Sequence, residues 1–140
     1  MQNQEQYRGG YSTLIIDQFK QRSFAKQGVF LLPYLKSGLT VLDCGCGPGS
    51  MTLDIAELVS PAWVMAIDSS AIQIEHSIAL QKQRGVDNVT FRIGSIYELP
   101  YPNQQFDVVF AHAVLYHLAK PEQAIAEIHR VLKPNGLVAS

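Results

Sequence analysis

The chain has little that would mark it for the cell surface, a membrane or nucleic acid. Its 140 residues hold two cysteines, Cys44 and Cys46. Two thiols with one residue between them build neither a disulfide framework nor a four-thiolate zinc site, so we expect no metal and a reduced, cytoplasmic protein. The opening Met1-Gln2-Asn3-Gln4-Glu5-Gln6 has neither the basic region nor the apolar stretch of a secretory signal. No apolar run approaches the roughly 20 residues of a membrane helix, so no membrane span is expected. Eleven basic residues against twelve acidic ones leave a net charge of −1, which offers no basic face for nucleic acid. What remains is 47% hydrophobic and 16% charged, an ordinary composition for one globular domain.

The apolar residues alternate between strand-like runs and helical spacing. Leu14, Ile15 and Phe19 suggest a short amphipathic helix, and Phe24, Leu31 or Leu32, and Leu35 a second one ended by Ser37-Gly38. Leu39 to Asp43 reads as a buried strand. Met51, Ile55, Leu58 and Val59 share one helical face, which Pro61 ends. Trp63 to Ile67 is a continuous apolar run, as in a strand covered on both faces. Ser70 to Gln73 fits a capping box opening a helix to about Arg84, with Ala71, Ile74 and Ile78 inward and Gly85 as its left-handed stop. Val89–Ile93 and Phe106–Ala111 read as the next strands. Pro121 to Leu132 reads as a helix with Ala124, Ile128, Val131 and Leu132 as its stripe. Pro134-Asn135-Gly136 turns the chain into a strand from Leu137. Strand and helix in alternation predict an α/β fold, a parallel sheet with right-handed crossovers.

The stretch from Val41 to Ser50 carries the chemistry. A strand ends in Asp43, and Gly45, Gly47 and Gly49 follow at alternate positions before a helix. Backbone without side chains can approach a nucleotide-like ligand closely, and Asp68 closes the next strand where a ribose-binding carboxylate would stand. The dinucleotide register G-x-G-x-x-G would require glycine at Ser50, so a nicotinamide-binding protein is a remote alternative. Asp43 at the mouth of the loop would repel a pyrophosphate and suits a ligand with an ammonium group. S-adenosylmethionine has that ammonium, a sulfonium and a ribose diol. Asp43 reads alternatively as a structural carboxylate satisfying loop amides, Asp68 as a helix cap, Ser95 as a turn residue, and Cys44 and Cys46 as small residues in tight positions.

Several spaced segments resemble the class I methyltransferases. They are Val41 to Gly49, Ala66-Ile67-Asp68-Ser69, Gly94 to Pro100 with Phe106-Asp107-Val108-Val109, Leu115 to Leu118, and Arg130 to Gly136. The chain is similar to the small-molecule branch of ubiquinone/menaquinone C-methyltransferases (methyltransferase type 11). The resemblance implies a Rossmann-like sheet with helices on both faces, in strand order 3-2-1-4 plus a stub of strand 5, truncated before the family's last strands. It implies an S-adenosylmethionine site of Asp43, Gly45, Cys46, Gly47, Gly49, Asp68, Ser69, Ser95, Ile96, Ala111 and His112, with S-adenosylhomocysteine as product. Ser95 departs from the Asp that many relatives carry, a weaker acceptor for the adenine amino group.

Methyl transfer is an in-line displacement at a carbon activated by the sulfonium, so positioning supplies much of the rate. A base is needed only where the acceptor loses a proton, and His112 and His117 are the candidates, with pocket lining as the plainer role for His117. Residues 1–38 are expected to cap or pack on the core of 39–140, with Tyr7, Tyr11 and Phe24 as lid candidates and Gly9-Gly10 permitting a hinge. The partner expected is a small-molecule methyl acceptor. An open sheet edge would favour self-association, and a non-catalytic S-adenosylmethionine-binding or dimerising remnant is the alternative reading.

Overall fold

The computed structural model describes residues 29–112 and 114–140. The expected helix around Leu14 to Phe19, the lid aromatics Tyr7, Tyr11 and Phe24, and the Gly9-Gly10 hinge lie outside those residues. Five strands form one parallel sheet: β1 (Val41–Cys44), β2 (Val64–Asp68), β3 (Val89–Ile93), β4 (Phe106–Phe110) and β5 (Leu132–Ala139), in the order β3-β2-β1-β4-β5. Three α-helices connect them: α1 (Ser50–Val59), α2 (Ala71–Arg84) and α3 (Pro121–Val131). The order reverses direction at β1, and the crevice at the carboxyl ends of β1 and β4 is where such sheets bind ligands.

Two apolar clusters cover the two faces of the sheet. Val41, Val108 and Phe110 face α1 and α2 together with Leu53, Ile55, Ile74 and Phe91. Leu42, Cys44, Val109 and Ala111 face α3 with Leu99, Tyr101, Phe106, Ile128 and Val131. Leu53 and Ile55 have no exposed surface, so truncating either to alanine costs about 2–5 kcal/mol. Asn88 closes the far end of the first cluster, its side-chain amide donating to the carbonyls of Ala56 and Ala62 at 2.7 Å each.

Several boundaries and faces differ from those expected. The segment before β1 is a 3-10 helix, Val29–Tyr34, with Pro33 inside it; proline cannot donate the bond a continuing α-helix needs. Its Leu31 is buried in the α1 side of the core. β1 begins at Val41 and not Leu39, because Thr40 instead bonds the start of β4. The buried face of α1 is centred on Thr52, Ile55, Ala56 and Val59, which turns Leu58 to the rim at 40% exposure. Trp63 is likewise outside β2, 44% exposed, with its indole N–H on the Thr90 hydroxyl at 2.7 Å.

In α2 the inward residues are Gln73, Ile74 and Ser77, while Ala71 and Ile78 face outward. The helix is rotated so that Ser77 meets the glycine loop. Its ends are only partly as expected: the Ser70 hydroxyl accepts from the Gln73 N–H at 3.4 Å and Gly85 takes the left-handed cap at φ 66°, but the capping box is half formed, since the Ser70 N–H goes to Asp68 and not to the Gln73 side chain. In α3, Ala124, Ile128 and Val131 are buried, and Leu132 already belongs to β5. β5 is thus longer than the stub expected from Leu137. Phe106 pairs with Leu132 and Val108 with Leu137, so the Lys-Pro-Asn-Gly turn bulges out of a continuous strand. Among the described residues no strand pairs with the outer edge of β3 or of β5, and no helix is long and apolar enough to cross a membrane.

Candidate functional site

The three loop glycines all have positive φ, but each is glycine for a different reason. Gly49 (φ 91°) is buried, and a Cβ there would stand 2.9 Å from the Ser77 hydroxyl and 3.0 Å from the Phe91 ring. It lets α2 pack against the back of the loop. Gly45 (φ 73°) is crossed on the other side by the Val114 side chain, which a Cβ would strike. Gly47 (φ 56°) has nothing within 4 Å of where its Cβ would be, so open space lies above its backbone. That is the position in the loop that a ligand can approach without displacing protein.

The loop is fastened from below. Gly45 and Cys46 both donate backbone N–H groups to the Ile67 carbonyl, at 2.8 and 3.0 Å. Ser77 donates its hydroxyl to the Gly47 carbonyl at 2.7 Å. Asp68 uses one carboxylate oxygen for the Gly47 N–H (3.0 Å) and the other for the Ser70 N–H (2.9 Å). The helix cap itself is Ser70, and Asp68 accepts the N–H of that cap residue; each Asp68 oxygen holds one backbone donor and retains a lone pair for another. Burial pushes its pKa up, and the two backbone bonds oppose that.

Asp43 is buried on the α1 side of β1, and its carboxylate accepts the Thr52 hydroxyl at 2.6 Å. It is thus tied to a helix hydroxyl and not to the loop amides of the alternative reading. Burial pushes its pKa up to about 7, the Thr52 bond opposes this, and the Asp68 charge adds to it. Two buried carboxyl groups stand by one glycine loop, the charge of Asp68 adds to the upward shift of Asp43, and no described cation is paired with either. A bound positive charge would relieve both.

The cysteines fill space. Cys44 is buried in the α3-side core and Cys46 is half-buried, its Sγ 3.7 Å from the Gly47 carbonyl. Burial raises both thiols, with Asp43 adding to it, which makes them poor nucleophiles.

The other expected residues line the carboxyl end of the sheet. Ser69 is exposed just past Asp68. Ser95 is exposed in a tight turn: its hydroxyl accepts the Tyr97 N–H at 3.1 Å and its carbonyl the Glu98 N–H at 3.2 Å. The turn role is therefore real, and Ile96 beside it is half-buried against the α3-side core. Ala111 is buried, its N–H bonded to the Ala139 carbonyl at 2.8 Å. His112 stacks on Phe110 with ring centroids 5.9 Å apart, and His117 lies against Tyr116 at 4.0 Å in the short helix Leu115–His117. From this side the side chain that meets the glycine loop is Val114.

Sequence reading missed Thr52, Ser77 and Val114, whose importance lies in contacts across 9, 30 and some 70 positions. It also missed the inward-facing side chain of Gln73, whose buried Oε1 has no hydrogen-bond partner among the described residues. Only the helical offset of Gln73 and Ser77, one turn apart on one face, could have hinted at them.

A family described as a methyltransferase domain matches residues 35–140. An uncharacterised methyltransferase of Schizosaccharomyces pombe is 34% identical over 141 residues, 94% of this chain and 50% of its own length. The demethylmenaquinone methyltransferase of Lactococcus lactis is 36% identical over 103 residues, 73% of this chain and 41% of its own. Among solved structures, a SAM-dependent methyltransferase from Aquifex aeolicus superposes with a TM-score of 0.80 at 25% identity, over 89% of this chain and 69% of that one. The chain spans about half the length of the curated relatives it matches.

Proposed function

This chain belongs to the methyltransferase domain family, and from that membership we propose that it binds S-adenosylmethionine and directs its methyl group to a small-molecule acceptor. The observation that carries the reading is the pair of buried carboxyl groups, Asp43 and Asp68, with no described cation paired to either, beside an open glycine backbone. A pyrophosphate would be repelled there; an ammonium and a sulfonium would be drawn in.

In this reading Asp68 accepts the ribose hydroxyls with the lone pairs that Gly47 and Ser70 leave over. Gly47 gives the ligand room, and Gly45, Cys46 and Gly49 hold the loop's shape. Asp43 faces the ammonium end. Ser69, Ser95 and Ile96 border the adenosine side, and Ala111 and His112 the methionine side. When bound, the cofactor supplies a methyl group already activated by its sulfonium. The protein's part is then alignment and exclusion of water. His112 or His117 takes a proton only where the acceptor must lose one.

A small organic acceptor is supported by the kinship with a demethylmenaquinone methyltransferase and by a net charge of −1, which gives no footprint for nucleic acid. The free thiols suit a reducing cytoplasm. Self-association through an exposed sheet edge is part of the same reading, the outer edges of β3 and β5 having no partner strand among the described residues. Calorimetric titration with S-adenosylhomocysteine and, separately, with NAD tests the assignment. Binding of the first alone is expected; binding of NAD alone would overturn it.

A further inference from the structure

The segment between β3 and β4 contains no helix, and its backbone groups find their partners elsewhere. Its backbone is bonded at successive points by side chains of α3. The Glu127 carboxylate accepts the Leu99 N–H at 2.7 Å, and Arg130 donates to the Leu99 carbonyl at 2.9 Å. The two residues thus hold both backbone polar groups of Leu99, the N–H of one peptide unit and the carbonyl of the next. Arg130 also donates to the Tyr101 carbonyl at 2.8 Å and to the Asn103 side chain at 3.0 Å. The guanidinium and carboxylate are locked to each other by two bonds, at 2.8 and 2.9 Å.

An ion pair three residues apart on a half-exposed helix contributes little by itself. Its weight lies in the backbone groups it satisfies. The same segment carries the Ser95–Glu98 turn and the half-buried Ile96, and its start is tied to the end of β2 by the Gly94 N–H on the Asp68 carbonyl at 3.1 Å. Further along, Gln123 reaches the Tyr97 carbonyl at 3.3 Å, and the Tyr97 hydroxyl accepts the Lys120 N–H at 3.3 Å. The helix that follows the Val114–Leu118 segment therefore also holds the opposite wall of the crevice.

We propose that Glu127 and Arg130 are positioning residues that set the base-side wall of the ligand site by gripping the backbone N–H and carbonyl of Leu99. The proposal rests on the adenosyl-ligand reading above. A wall displaced by ~1 Å loses its contacts to the base alone, whereas the ribose and amino-acid contacts are assigned to β1, β2, the glycine loop and the end of β4.

The test compares two ligands, S-adenosylhomocysteine and S-ribosylhomocysteine, which lacks the base. Affinities are measured for the wild-type chain and for Arg130→Gln, Glu127→Gln and Arg130→Lys. With Arg130→Gln, binding of S-adenosylhomocysteine should weaken by about tenfold or more, and binding of S-ribosylhomocysteine should stay within about twofold. Glu127→Gln, which keeps an acceptor for Leu99, should show the smaller loss. Equal weakening of both ligands, or of neither, in a folded Arg130→Gln protein overturns the proposal. Should that variant not fold, Arg130→Lys decides: it keeps the charge but lacks the planar fork that reaches Glu127, Leu99 and Tyr101 together, so an unchanged ratio of the two affinities overturns the proposal. Failure of the wild-type chain to bind S-adenosylhomocysteine would instead remove the adenosyl reading itself.

Discussion

Asp43 and Asp107 sit on adjacent strands, β1 and β4, at opposite ends of the sheet, and their surroundings could hardly differ more. Asp107 receives the Thr40 N–H at 2.9 Å, the Thr40 hydroxyl at 2.8 Å and the Lys133 ammonium at 3.3 Å. Partial burial pushes its pKa up, but those donors outweigh it and leave the group below the usual carboxylate range. Asp43 has one hydroxyl and a second carboxylate nearby, and burial carries it to about 7. The first carboxylate is finished by the protein. The second is left incomplete, which folding alone would not select, since burying a charge without a partner costs stability. The amino ends of the strands are scaffold, and the carboxyl ends hold stored electrostatic demand.

The strongest way to break this comparison is at the carboxyl end. Asp68→Ala removes the proposed ribose acceptor and the anchors of Gly47 and Ser70 together. Affinity for S-adenosylhomocysteine should fall by about a hundredfold or more, read by calorimetry, because a lost charged acceptor leaves the ligand's hydroxyls unmatched. Retained affinity would refute the assignment.

Asp43→Asn should act with opposite signs on binding and stability. In the folded chain Asp43 holds its proton up to about pH 7, against an ordinary value of 3.8. The folded state therefore binds more protons than the unfolded one between those values, and stability falls as pH rises through them. The burden is absent below about pH 4 and complete above pH 7. Asparagine cannot ionise and can still accept from Thr52. The variant should match the wild type in urea unfolding near pH 4 and exceed it by on the order of a few kcal/mol at pH 8. Its affinity for an ammonium-bearing ligand should nonetheless drop. A variant that is no more stable at pH 8 would show that Asp43 is not the strained group.

Much of the scaffold was legible before any coordinates, because it is local. The capping Ser70, the left-handed Gly85 and the bounds of β3 and of the start of α3 follow from short-range backbone rules and emerge as read. The family was legible from motifs for the same reason. What escaped depends on rotation and distance. Ala71 and Ile78 face outward because α2 turns Ser77 onto the glycine loop, a demand set 30 positions away. β5 starts five residues early because a strand tolerated a bulge where the Pro-Asn-Gly turn looked like an ending. The three glycines looked alike in sequence, and only the neighbours of each absent Cβ separate their roles.

That separation gives the next prediction. Gly49→Ala must fit a methyl against Ser77 and Phe91 in a left-handed conformation. It should cost roughly 2–4 kcal/mol in urea unfolding, with the ligand affinity of the folded fraction little changed. Gly47→Ala meets open space, so only the conformational cost of about 1 kcal/mol applies to stability. Its affinity loss should be the larger one, because the added methyl occupies the approach assigned to the ligand. Equal affinity losses in the two variants would erase the distinction between packing glycine and ligand glycine.

The smallest effect is expected at the amino end, and its smallness is what makes it useful. Lys133 is 43% exposed and Asp107 28%, so water screens their pairing, and Lys133→Ala should cost less than about 0.5 kcal/mol. Asp107 keeps both Thr40 donors in that variant, so its pKa should rise only part of the way back toward 3.8. A depressed carboxylate contributes stability above its unfolded pKa and loses it as pH falls through the folded value, so any deficit belongs to neutral pH and fades in acid. Asp43 has the opposite slope, its burden growing as pH rises toward 7. Ligand affinity should not change in Lys133→Ala, since Lys133 and Asp107 stand at the end of the sheet away from the glycine loop. A measurable loss of affinity would mean that the two ends are coupled through β4, and that the amino end is more than scaffold.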